Sequence, residues 1–189
     1  VILNLDNARP TSHHASRPAA GDALLHPAVV AALAVLVVND HVGKDLARGT
    51  AWATLTGKAS DVAGVLFLPV LVVAGLELAA AARGRYRGPS ARMAMIVAAL
   101  VAVAFAAMKT HPLAGDVYRY ATGALQWPWH AAVAAVHGRV APPVLPVRHV
   151  VDPTDLVALP AAGWAIAQAR ARARSWASSG ATNAANDAR

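Results

Sequence analysis

The chain has 189 residues, of which 57% are hydrophobic and only 14% charged, against about 25% charged in ordinary soluble domains, so a typical water-soluble fold is excluded and one integral membrane domain is indicated. The absence of cysteine excludes disulfides, thiolate metal sites and a cysteine nucleophile. The net charge of +7 does not mark a nucleic-acid binder, because the arginines stand in short blocks at the edges of apolar runs, as they do where charge encodes membrane topology.

Residues 1–22 lack the basic region, apolar core and small-residue cleavage site of a signal peptide and read as a disordered cytoplasmic tail. A bilayer crossing needs about 20 mostly apolar residues in a helix. Four segments qualify: about 23–40, with Pro27 tolerated in its first turn; about 62–82, the most apolar; about 91–108; and about 153–170, short enough to require tilt or local thinning of the bilayer. Between the last two, about 115–140 is interrupted by Gln126, Pro128 and His130 and carries Tyr118, Tyr120, Trp127 and Trp129, aromatics suited to the headgroup level. It reads as one or two short interfacial helices closed by "APPVLP". Residues 175–189 read as a second disordered tail, leaving 23–174 as the membrane domain.

A fifth span across 121–137 is the competing topology. With four spans, Arg83, Arg85, Arg87 and Arg92, the block Arg170, Arg172 and Arg174, and Arg9 and Arg17 all fall on one side, which the positive-inside rule makes cytoplasmic. A fifth span would send the C-terminal arginines outside. The expectation is therefore an all-α, four-span transmembrane helical bundle with an outer interfacial helical segment, multi-pass in a bacterial inner membrane, both termini cytoplasmic.

That threading brings four polar helix ends to the outer face: "NDHVGK" (Asn39, Asp40, His41, Lys44), "GKASD" (Lys58, Ser60, Asp61), "KTH" (Lys109, Thr110, His111) and "DPTD" (Asp152, Thr154, Asp155). The chain has fourteen arginines but three lysines, and all three lysines lie in this group. Lysine is a compact point charge whose titration responds to burial, and three of them outside run against the topological trend. Each residue also has a plain structural reading. Asp152, Pro153 and Asp155 suit a helix start, Ser60 and Asp61 a cap of the second span, and Lys109 complements a helix C-terminus. Capping does not, however, call for three lysines and two histidines together. Lys58, Asp61, Lys109 and Asp155 are expected to act as a unit, because ionisable groups in membrane bundles pair and mark function. Glu77, inside the second span, should pair with Arg83, Arg85 or an arginine of a neighbouring helix. Gly64, Gly75 and the many alanines should let helices approach closely.

No cofactor is expected, although haem and zinc stay open. Haem would need facing histidines, and His41 and His111 stand at the rim of two helices; zinc could draw on His41, His111, Asp61 and Asp155, without a diagnostic spacing. Ser60 has no nucleophile elbow, and no phosphate loop is present in the sequence. Lysines mixed with carboxylates and histidine suit an anionic headgroup or phosphate-bearing envelope precursor, with the carboxylates or His41 available to move a proton.

The stretches "GKASDVAG" and "DPTDLVALP" resemble two short motifs of the VanZ-like family of small membrane proteins, an Asp-Lys-x-x-His-like helix start and a later Asp-Val-x-x-Asn-like spacing. Lys58 and Asp155 match, whereas Asp61 stands where that family has histidine and Leu159 where it has asparagine. The resemblance implies the helix order and an envelope setting, not a reaction. The expected function is an envelope protein that binds, with or without modifying, an anionic lipid or cell-wall precursor. The alternatives are a non-catalytic subunit of a larger membrane complex and a haem-binding redox subunit. Membrane lipids are the expected partners, and no residue is assigned a catalytic role.

Overall fold

The computed structural model describes residues 17–187 except 48 and 51, and leaves the side chains at 40, 44, 45, 53 and 182–187 undescribed. The described chain is all-helical, without a strand. Helix α1 (Pro27–Val38) starts on His26, whose ring accepts from the Ala28 amide at 3.1 Å, with proline in the first position where no amide is needed. It continues through a π-helical turn (Asn39–Gly43) into the short α2 (Lys44–Ala47). Gly43 lies against the Asn39 side-chain carbonyl, where a Cβ would collide.

Helix α3 (Trp52–Ala82) runs for 31 residues, about 46 Å at the α-helical rise. This corrects the expected start near 62. "TLTGKASD" is polar but holds no proline, and its polar side chains find partners across the bundle, so the helix continues through it. Ser60 and Asp61 are therefore interior positions and not N-caps. Pro69 sits buried in mid-helix and removes one backbone hydrogen bond there.

Helix α4 (Ala91–Thr110) is capped by Ser90, whose hydroxyl accepts from the Met93 amide at 3.2 Å. After His111 the chain enters α5 (Pro112–Val136), one continuous 25-residue helix that absorbs Pro128, where short interrupted helices are expected. Gly138, at φ 63°, ends it in the left-handed region that glycine favours. An extended return segment, 139–152, follows α5 back: Val147 N–H donates to the Arg119 carbonyl at 3.1 Å, and the Trp127 indole donates to the Pro142 carbonyl at 2.7 Å. A 3-10 turn (Pro153–Ala158) then leads into α6 (Ala161–Asp187), so the last segment opens on a 3-10 turn and its helix passes far beyond 170, through most of the stretch expected to be a tail.

Helix α3 is the centre, packed by α1, α4 and α6, with α4 also against α6. The core is built from alanine and valine: Val65, Ala98, Phe105, Ala158 and Ala162 near one end, Val73, Ala94, Val97 and Ala169 near the other. Small side chains let helices pack closely where burial from water does not drive association. The glycines expected at these contacts do not carry them. A Cβ on Gly75 would meet nothing within 4 Å, and on Gly64 only an ordinary contact with Leu36. The close approach is at Gly123 instead, pressed against the Leu145 carbonyl of the return segment.

Gly123→Val should therefore destabilise the folded protein by about 1–3 kcal/mol, while Gly75→Ala leaves stability within about 0.5 kcal/mol, as read by thermal unfolding in detergent.

Candidate functional site

Four of the expected residues meet in one network at the end of the bundle where α3 begins, α4 ends and α6 is about to begin. Lys109, one residue before the end of α4, extends its ammonium between two carboxylates, 2.8 Å from Asp61 Oδ2 on α3 and 2.7 Å from Asp155 Oδ2 on the 3-10 turn. Its third direction faces the ring of Phe105 at 5.5 Å, a cation–π contact one helical turn back. The Lys109 side chain is 9% exposed. Asp155 is shared: its Oδ1 accepts from Lys58 at 3.1 Å, and Lys58 also donates to Thr154 Oγ1 at 2.7 Å. The Lys58 side chain, 27% exposed, is the most exposed of the four charged members, followed by Asp61 at 20%. Two lysines thus balance two carboxylates.

The other residues divide. Asn39 is buried and donates to Ser60 Oγ at 2.6 Å and the Thr56 carbonyl at 2.5 Å, tying the π turn to α3. Asp152 is the cap of the 3-10 turn, accepting from the Thr154 amide at 2.9 Å and hydroxyl at 2.8 Å, which holds that hydroxyl beside Lys58. His41 is exposed with its ring against the Val37 carbonyl of its own helix, and His111 is an exposed backbone cap; neither joins the network. The side chains of Asp40 and Lys44 lie outside the described residues. Among the described residues no three histidine or carboxylate groups converge as a metal would require.

The opposite end holds a second cluster. Glu77, 2% exposed, takes both Arg172 Nη atoms from α6 at 3.0 Å each and the Gly21 amide at 3.0 Å. Arg172 also reaches the Ala19 carbonyl at 3.1 Å and pairs with Asp22. The partner of Glu77 is thus the neighbouring-helix arginine, while Arg83 turns to the Ala79 carbonyl of α3. A lone acid within an apolar run signals that a partner exists; the identity of a partner 95 residues away has no local signal. Burial favours neutral Arg172, but the hydrogen bonds and charges of Glu77 and Asp22 outweigh it and hold the guanidinium above its ordinary pKa. Nearby, Tyr86 donates to the Pro18 carbonyl at 3.4 Å, and burial, then the charge of Glu77, push its phenol above the ordinary value.

Comparison with protein-family models, with curated proteins and with solved structures gives no match to this chain.

Arg172→Met should cost about 3–5 kcal/mol in denaturant unfolding because it strands a buried carboxylate, and Glu77→Leu combined with Arg172→Met should recover much of that loss. In an alkaline absorbance titration, Tyr86 should ionise above an unperturbed phenol, and Tyr86→Phe should remove that late step. Since its folded pKa is raised, its stabilising contribution is full below the unfolded value and disappears as pH climbs through the folded one.

Proposed function

We propose that this chain is a multi-pass bacterial inner-membrane protein whose Lys58–Asp155–Lys109–Asp61 network is an outer-facing site for an anionic lipid headgroup or phosphate-bearing envelope precursor. Two helices, Thr54–Ala82 and Ala91–Thr110, are long and apolar enough to cross a membrane. Within their most apolar windows only 39% and 22% is buried inside the protein, whereas an apolar helix needs either protein or lipid around it. Leu68, Leu71, Leu76, Ile96, Leu100 and Val103 face outward, which supports a lipid surround. Helices α1 and α6 pack on α3 in the same bundle, which supports counting their apolar parts as the remaining two spans. Exposed Arg83, Arg85, Arg87, Arg170 and Arg174 lie in the segments around the Glu77 end, which supports making it cytoplasmic.

The observation that carries the functional reading is the sharing of Asp155. Lys109 holds this carboxylate at the shorter distance, so Asp155 keeps one ammonium when Lys58 turns to an incoming phosphate, and the negative charge then uncovered is spread over Asp155 and Asp61 around Lys109. Lys109 and Asp61 hold the frame, Thr154 steers Lys58, and Lys58 supplies the recognition charge. Binding is the role this geometry supports.

Reporter fusions active only in the cytoplasm should work after Arg87 and Arg174 and fail after Arg139; a signal from the last would remove the four-span arrangement. For the site, phosphatidylglycerol binding in nanodiscs should fall about tenfold in Lys58→Ala, equivalent to one charge-assisted hydrogen bond, with folded yield kept. Ala98→Leu, a packing control in the core beside Phe105, should instead lose folded yield. If Lys58→Ala binds like the parent, the network is a structural clamp and the subunit alternative gains.

A further inference from the structure

Helix α5 and the extended segment 139–152 form a hairpin that leaves and rejoins the bundle beside the lysine–aspartate network, His149 bonding back to the Met108 carbonyl at 2.9 Å. Between its two arms lies a groove of about 410 Å³, lined by Gly123, Gln126, Trp127, His130, Pro142 and Leu145 among others. Small-molecule pockets span about 300–1,000 Å³. We propose that this groove binds a neutral sugar ring.

Its walls are held before any ligand arrives. The indole N–H of Trp127 is committed to the Pro142 carbonyl at 2.7 Å, leaving the ring surface and not its donor to the groove. Arg119 and Val147 exchange two hydrogen bonds, at 3.1 and 3.2 Å, across the arms. Pro142, Pro143 and Pro146 fix the return chain, whose Leu145 carbonyl seats directly on Gly123. A pre-formed site loses little freedom on binding.

The lining then selects the ligand. Indole and pyrrolidine faces offer flat apolar surface to the C–H face of a pyranose. The Gln126 amide and the His130 imidazole each donate and accept, as sugar hydroxyls do. Among the described residues no lysine, arginine or carboxylate lines the groove, which makes it chemically distinct from the site at Lys58. The proposal stands independently of that site's ligand. A free oligosaccharide and the headgroup of a glycolipid present the same ring.

The test uses the full chain in phosphatidylcholine nanodiscs, free of sugar detergents, titrated with maltotriose or chitotriose and, in a second arm, reconstituted with monoglucosyl diacylglycerol. Calorimetry and tryptophan fluorescence should report saturable binding in at least one arm; the soluble arm identifies a free-sugar site, and the glycolipid arm alone identifies a headgroup site. Gln126→Ala, which breaks none of the wall contacts, should weaken binding about tenfold with an unchanged melting temperature. Trp127→Ala should weaken it further. Trp129→Ala, 71% exposed and outside the groove, should bind like the parent. No saturation in either arm, or equal loss in Gln126→Ala and Trp129→Ala, overturns the proposal.

Discussion

An ammonium group held away from water needs a counter-charge and further acceptors for its hydrogens, and Lys109 meets that requirement by joining three separate parts of the chain. Asp61 comes from α3, Asp155 from the turn before α6, and Lys109 itself closes α4. These are the segments whose mutual packing forms the bundle. Removing any one of the three groups unbalances the charge of the network, so the network ties the register of the segments that carry it. Lys58 is held less tightly, by one carboxylate that it shares with Lys109 and at the longer distance.

The two ends of α3 solve the same problem differently. At the Glu77 end the guanidinium fork of Arg172 engages both carboxylate oxygens, a planar and fixed geometry, and the chain before α1 is drawn in through the Gly21 amide and the Ala19 carbonyl. At the Lys58 end the donors are ammonium groups, whose hydrogens can be redistributed among acceptors. One end is thus closed rigidly, while the pairing at the other is exchangeable.

The helical class was legible in the long apolar runs, and the pairing of Lys58 and Lys109 with Asp61 and Asp155 in the few lysines of an arginine-rich chain, which lie at the edges of those runs; the third, Lys44, has a side chain outside the described residues. The true start of α3 was not, because "TGKASD" looks like a helix end until Thr154 and Asp155, almost a hundred residues on, provide partners for it. His41 and His111 share the end of the bundle with the lysines but not their contacts, since proximity to a helix end does not say which way a ring turns. The continuity of α5 through Pro128 was hidden by a local rule about proline that this helix overrides. The pairing of Glu77 was foreseeable as a need and not as an address.

Pro69 lies between the two polar ends of α3, and having no amide hydrogen it leaves the carbonyl one turn earlier without its helical donor. The backbone ladder of the longest helix is thus interrupted near its middle, between Asp61 and Glu77. Each half is then secured by its own electrostatic anchor, so the helix need not open as one cooperative unit. Amide exchange at one end can then proceed at its own rate while the other stays protected.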